Sequence, residues 1–198
     1  MSTAVVERRD GEATREKIRR AAESLFTRRG LAAVTLREIA REAGQRNVAA
    51  VQYHFGSKEG LIADLVDRHQ AEIDAERRAR LDRCLRGGRE QDLDALLDVL
   101  LEPLAAKLES ATGRAYLLIQ AERLGQEGLR PATRELVGYL SRALGTTRSD
   151  PERDRLAVLL VFHALADRAR QEEHRRDRRG RARLVQHLRH VLAGLFDG

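Results

Sequence analysis

The stretch Thr35–Phe55, TLREIAREAGQRNVAAVQYHF, constrains the chain more tightly than any other. Thr35 followed by Glu38 forms a capping box. The hydroxyl accepts a free backbone N–H of the first helical turn, and the carboxylate reaches back to the N–H of the cap. From Leu36 to about Ala43, the residues Leu36, Ile39, Ala40 and Ala43 recur at the three-and-four spacing that buries one stripe of a helix. Gly44 permits the left-handed backbone on which helices end. Asn47 is a candidate cap for a second helix, about Val48–His54. That helix opens on Val48, Ala49 and Ala50, so its backbone can approach another surface closely. Val51 and Phe55 lie four apart and face inward. Gln52, Tyr53 and His54 then turn partly outward with hydrogen-bonding groups. Two short helices around a glycine turn make a helix-turn-helix, which suits the major groove of DNA. The spacing alone fits equally well an ordinary helical hairpin in an all-α core.

The 198 residues suffice for one large or two small domains with real cores. With 42% apolar and 34% charged residues, the composition is that of a globular chain. No apolar run approaches the ~20 residues of a membrane span, and MSTAVVERRDGEA lacks the apolar centre of a signal peptide. A cytoplasmic protein follows by default. The net charge of +6 favours an anionic partner such as nucleic acid. Three prolines in a chain dominated by Leu, Ala, Arg and Glu point to helices throughout, about nine of them.

Residues 1–11 are polar and without periodicity, so a mobile arm is expected. Arg8 and Arg9 suit either a solvated tail or the minor groove. A first helix is expected from about Ala13 to Arg29, with Ile18, Ala21, Ala22, Leu25 and Phe26 inward and Gly30 closing it. Ser57 is a good cap for a helix that continues through Leu61, Leu65, His69 and Ile73 towards Gly87–Gly88. Beyond Asp92, Leu93, Leu96, Leu97, Leu100, Leu104 and Leu108 form a wide stripe, with Pro103 as an expected kink. Tyr116–Leu124 reads as a mostly buried helix, 125–131 as a break, and the following helix turns Leu136, Val137, Leu140 and Leu144 inward. Asp150–Pro151 is a cap followed by proline at the first helical position. The helix that follows runs to about Glu173 and is apolar on more than one face, so it needs partners on more than one side. HRRDRRGRAR reads as a solvated or partner-paired connection, with contact to DNA as the alternative, and a last helix spans about Arg181–Phe196.

Thr14–Gly30 (TREKIRRAAESLFTRRG), TLREIAREAG and YHFGSKEGL together resemble the N-terminal domain of TetR-type transcriptional regulators, over about residues 12–66. The resemblance implies a helix-turn-helix DNA-binding domain at 12–60 and an effector-binding, dimerising helical domain at 61–198. It implies double-stranded operator DNA as partner, with Thr35, Tyr53 and Lys58 on phosphates; a helix N-terminus beside Lys58 agrees with that. Arg46, Asn47 and Gln52 are candidates for base edges, since Arg forks onto guanine and Asn or Gln onto adenine. His54 can touch either. Between Gly44 and Tyr53 the chain has one residue more than the family pattern, so the turn is expected to be one residue longer. The resemblance also implies a homodimer through the last two helices, with Leu156, Leu160, Leu188, Val191 and Leu195 as candidates. The candidate walls of an effector pocket are Leu97, Leu101, Tyr116, Gln120, Tyr139, Phe162 and His163. Few polar groups there suggest an apolar or amphipathic effector; each of these residues also reads as packed core, the default for apolar residues at helical spacing.

Catalytic signatures are missing from the sequence: it has no GxxxxGK[ST] or GxGxxG loop, no GxSxG elbow and no HExxH pair. No cofactor, metal or catalytic residue is expected. His187 and His190, with His174 upstream, fit solvated histidines better than a metal site, because nothing completes a ligand set. Cys84, the only cysteine, stands among arginines and reads as a bystander thiol rather than a redox centre. The reading is a ligand-released repressor that binds a palindromic operator as a dimer. An activator or effector-independent DNA binder, and a helical enzyme with a DNA-binding head, remain as alternatives.

Overall fold

The computed structural model describes residues 3–124, 138–140, 150–172 and 177–197. Among them every regular element is helical. The elements are α1 (Thr3–Arg29), α2 (Leu36–Glu42), α3 (Ala49–Phe55), α4 (Lys58–Arg86), α5 (Leu93–Ala105), a 3₁₀ turn (Ala106–Glu109), α6 (Ala111–Arg123), α7 (Pro151–Gln171) and α8 (Arg178–Asp197). Residues 138–140 are also helical. The expected break at 125–131 and the positions Leu136, Val137, Leu144 and His174 lie outside the described residues. The chain divides into two compact units, Met1–His69 and Gln70–Gly198.

In the first unit the expected stripe of α1 is the core. Ile18 and Ala22 are fully buried, and Ala21, Leu25 and Phe26 nearly so, against Val34, Ile39, Val51, Leu61 and Leu65. The helix begins at Thr3 rather than Ala13, so residues 3–11 are helical where an arm without structure was expected. Apolar periodicity could not reveal this. Nothing before Ala13 breaks a helix, since there is no proline and one interior glycine costs only about 1 kcal/mol. The unit also runs past the expected division at residue 60. Leu61, Ile62, Leu65 and Val66 of α4 are buried in it, and His69 faces Glu23 of α1 at 3.7 Å.

Local signals position the second unit. Asp92 accepts from the Ala95 N–H, and Ser110 from the Gly113 N–H. Asp150 accepts from the N–H groups of Glu152 and Arg153, at the predicted start of α7. Pro103 lacks the N–H that would bond four residues back, and α5 gives way two residues later to the 3₁₀ turn. Leu96, Leu97, Leu101, Leu104 and Leu108 are essentially buried against Tyr116, Leu117, Leu165 and Ala166. The last helix starts at Arg178, earlier than Arg181, because Asp177 caps it through the Gly180 N–H at 2.9 Å. Arg181 and Arg168 both reach the buried Glu172, so this part of the basic run is ion-paired.

Burial predicts opposite responses within one short segment. Ile39→Ala is expected to cost about 2–5 kcal/mol, because Ile39 is fully buried. Tyr53→Ala is expected to stay within about 0.5 kcal/mol of wild type, because Tyr53 is exposed. Urea denaturation followed by circular dichroism checks both.

Candidate nucleic-acid interface

The turn between α2 and α3 is built locally. Thr35 and Glu38 make the expected capping box, with Thr35 Oγ1 accepting from the Glu38 N–H at 3.3 Å and the Thr35 N–H bonding Glu38 Oε2 at 2.9 Å. Gly44 has a φ of +68°, and α2 ends in a Schellman motif. In it the Gly44 N–H reaches Arg41 O at 3.1 Å and the Gln45 N–H reaches Ala40 O at 2.8 Å. Asn47 Oδ1 accepts from the Ala49 N–H at 2.9 Å, but the cap position itself falls on Val48, one residue later than expected, which caps with no side chain. The helix starts at Ala49 rather than Val48, so the longer connection is absorbed before α3.

Arg46, Asn47, Gln52 and Tyr53 are exposed, while His54 and Lys58 are half-buried. The contrast along one helix is sharp: Val51 has no exposed surface and Tyr53 is 87% exposed. The Tyr53 ring stands edge-on to His54, with centroids 5.1 Å apart. Two expected phosphate ligands have other commitments. Thr35 gives its hydroxyl proton to Glu38 Oε2 at 2.8 Å and its N–H to the same oxygen, so both of its donors serve the cap. Lys58 donates to the Leu31 carbonyl at 2.5 Å, which leaves two of its three N–H bonds.

Sequence reasoning missed what fixes α3 in place. Arg15 and Arg19, four apart on α1, lie 5.1 and 5.9 Å from the centre of the Phe55 ring. Both guanidiniums also pair with Asp64 of α4, Arg19 Nε at 2.8 Å. Three helices therefore meet at the last residue of α3. Burial alone would raise the Asp64 carboxyl, but the bonds from Arg19 and Arg15 outweigh it and hold it below the usual range. A second device is Gly60. A Cβ there would collide with the Phe55 carbonyl oxygen, so only glycine lets α4 begin this close to the end of α3. The spacing of Arg15 and Arg19 and the glycine inside a helix were the signals available in the sequence.

The other predicted sets divide. Leu97, Leu101, Tyr116, Gln120 and Phe162 are buried in the second unit, and Tyr139 is half-buried. The Tyr116 and Phe162 rings meet edge-on at 6.3 Å, and the Tyr116 hydroxyl donates to Gln70 Oε1 at 2.8 Å. Among the described residues Gln120 Oε1 is buried without a donor against it. His163 does not join this group: α7 turns it to the exposed side, because Phe162, Leu165 and Ala166 take the inward face. Of the interface candidates, Leu156, Leu160 and Val191 are exposed at 53, 37 and 50%, and Leu195 is half-buried. Leu188 is 4% exposed and serves the core of its own chain, on the inward stripe with Val185 and Leu192. Among the described residues no group of three or more His, Cys, Asp or Glu could hold a metal ion. No described helix is long and apolar enough to cross a membrane.

Residues 18–65 match the family model of bacterial regulatory proteins of the tetR family. No curated protein matches the chain significantly. Among solved structures, the chain is similar to Mycobacterium smegmatis AmtR, at 22% identity and a TM-score of 0.57, covering 90% of this chain and 86% of that one. It is similar also to HlyIIR, a hemolysin II transcriptional regulator, at 17% identity and a TM-score of 0.53, covering 89% of this chain and 97% of that one. A third is the multidrug binding protein EbrR, solved with imidazole, at 22% identity and a TM-score of 0.50, covering 91% and 88%. At these identities the likeness establishes the fold.

The acid limb of stability follows from the capping box. The bond from Arg29, then those from Thr35, lower the Glu38 carboxyl from its ordinary 4.5 to about 2. A pKa depressed in the folded state contributes stability above the unfolded value, and that contribution fades as pH falls towards the folded value. Wild-type thermal midpoints should therefore drop between about pH 4.5 and pH 2. The slope should be shallower in Glu38→Gln, measured by melting across that range.

Proposed function

We propose that this chain, whose residues 18–65 match the family model of bacterial regulatory proteins of the tetR family, is a DNA-binding regulator: a ligand-released repressor reading a partly palindromic operator as a homodimer. The observation that carries the reading is α3 itself. Its buried side is anchored by Val51, while Gln52 and the 87%-exposed Tyr53 project polar groups outward with Arg46 and Asn47 beside them. A tyrosine offers an apolar ring with a polar tip, which suits a contact with a partner's surface. The net charge of +6 favours a polyanion. In this reading Arg46, Asn47 and Gln52 meet base edges, and Tyr53 and the remaining donors of Lys58 meet phosphates. His54 sits where it can touch either. Thr35 contributes by holding the N-terminus of α2.

Two copies are needed for a two-fold operator, with half-sites roughly 34–36 Å or a multiple apart. Leu156, Leu160 and Val191 supply an exposed apolar face on the last two helices that suits a second copy, and Leu195 adjoins it. The effector is proposed to lie against Leu97, Leu101, Tyr116, Gln120, Phe162 and Tyr139. It is apolar or amphipathic and carries a hydrogen-bond donor for Gln120 Oε1. A ligand that prefers the conformation unable to bind DNA must lower DNA affinity by the same factor.

Genomic fragments selected by the purified protein test the core of this reading. A short inverted repeat is expected. Gln52→Ala should weaken it by about 1–3 kcal/mol or redirect its sequence preference. Weak, salt-sensitive binding indifferent to sequence and to Gln52 would reduce α3 to a non-specific anchor. Dimerisation has a separate test. Leu156→Glu combined with Val191→Glu should sediment as a monomer with an unchanged helical spectrum and much weaker operator binding. A double variant that remains dimeric would remove these helices from the interface.

A further inference from the structure

At the corner between α4 and α5 the second unit carries an open groove of about 340 Å³. That volume lies at the lower end of the range for small-molecule sites, roughly 300–1,000 Å³. The corner is made by a second Schellman turn, in which the Arg89 N–H reaches Cys84 O at 3.0 Å and the Gly88 N–H reaches Leu85 O at 3.0 Å. Arg80, Arg83 and Cys84 fall on one side of the last turns of α4. Arg89 swings over from beyond the turn, and Ala95 and Val99 of α5 close the floor. None of these residues belongs to the interface or pocket sets described above.

The basic groups are concentrated in the lining itself, while most of their counter-ions lie outside it. Arg80 and Arg83 share the single carboxylate of Glu76, at 2.6 and 3.9 Å. Arg89 gives Nε and Nη2 to Asp92 at 2.9 and 2.8 Å. Asp98, the one carboxylate in the lining, faces Arg189 of α8, which also pairs with Glu102 at 3.3 Å. Three guanidiniums and one carboxylate thus line the groove. The Arg83 and Arg89 side chains remain 64 and 58% exposed. Exposed ion pairs of this kind contribute little and exchange readily. Guanidinium forks match carboxylate and phosphate oxygens in two-bond geometry. The floor is of the opposite character: Cys84 is buried and its Sγ donates to the Arg89 carbonyl at 3.0 Å, beside the side chains of Ala95 and Val99.

We propose that this groove is a binding site for a small organic anion, a carboxylate or phosphate ester on a short apolar stem, held by Arg83 and Arg89 at its rim with the stem against Cys84 and Val99. The site is independent of the effector pocket and of the operator-binding reading.

The chain supplies its own reporter, because Cys84 is its only cysteine. Burial pushes the thiol up, with Arg89 pulling the other way, so alkylation by iodoacetamide is slow; it is followed over hours at about pH 8, where phenol stays un-ionised. Phenyl phosphate is the probe and phenol its neutral counterpart. In the full chain, phenyl phosphate should slow alkylation at least five-fold in a saturable way, while phenol leaves the rate unchanged. Arg83→Gln with Arg89→Gln should abolish the protection while keeping the wild-type helical spectrum and melting temperature. Tyr116→Phe should keep the protection. Equilibrium dialysis of phenyl phosphate reads the same site without the thiol, with one probe per wild-type chain expected and none on the double variant. Equal protection by phenol would overturn the proposal, as would an unchanged alkylation rate under saturating probe. Dialysis binding that survives in the folded double variant would overturn it too.

Discussion

The meeting of Arg15, Arg19 and Asp64 over the ring of Phe55 is the contact on which the N-terminal unit depends. A helix of seven residues has too few internal hydrogen bonds to be stable alone. Its direction has to come from tertiary contacts. Val51 supplies one anchor, fully buried, and Phe55 is the other, held at the edge of the core by two guanidiniums that themselves need a counter-ion. Asp64 provides it from α4 and so joins α1, α3 and α4 in one cluster. Because both anchors sit on the inner side, the outer side is free of packing duties and can be chosen for recognition. Tyr53 can be exposed because Val51 and Phe55 do the holding.

What was legible in the sequence was local. The capping box at Thr35, the glycine turn at Gly44, the cap at Asp150 and the stripe of α1 all involve residues within one or two turns of each other. Their chemistry is decided before tertiary structure enters. What was not legible involves partners far apart in the chain or the absence of a signal. Arg15 and Arg19 look like solvated charges until Asp64, 45 or more residues away, is placed beside them. The start of α1 at Thr3 has no apolar stripe to announce it. His163 and Leu188 were misplaced for a related reason: an apolar or amphipathic residue at helical spacing can face its own core, a ligand or a second chain, and only burial separates these. Burial assigned Leu188 to the core and turned His163 outward.

In the second unit the usual arrangement of polar and apolar groups is inverted in two places. Inside, Tyr116, Gln70 and Asp74 form a hydrogen-bonded chain, Gln70 Nε2 reaching Asp74 Oδ1 at 3.0 Å. The buried guanidinium of Arg77 donates to the Leu100 carbonyl at 3.0 Å. Outside, Leu156, Leu160 and Val191 lie in water. Buried polar groups cost stability unless satisfied, and exposed apolar patches invite association. The interior polar groups meet that condition through one another, Tyr116 with Gln70 and Gln70 with Asp74, while the exterior apolar ones form the face that the proposed second copy would cover.

For the proposed regulator, α4 is the element that contributes to both units. It is a single helix of 29 residues that belongs to both units, dividing at His69 and Gln70. On the first side of that division Asp64 and Arg68 are ion-paired to α1. On the second side Gln70, Glu72 and Arg77 are tied to α6, the 3₁₀ turn and α5. Each tie is directional and short-ranged, so a gradual displacement of α4 loses several of them before it gains others. The proposed ligand release requires two discrete settings of this element, which closely packed elements favour. A ligand then acts only by the difference in its affinity for the two settings. A shift from one in a hundred to ninety-nine in a hundred requires roughly 5.5 kcal/mol of that difference. A wholly apolar effector would have to draw this from shape alone. One that hydrogen-bonds Gln120, one turn from the residue that bonds α4, can place part of it on a polar contact that exists in one setting and not in the other.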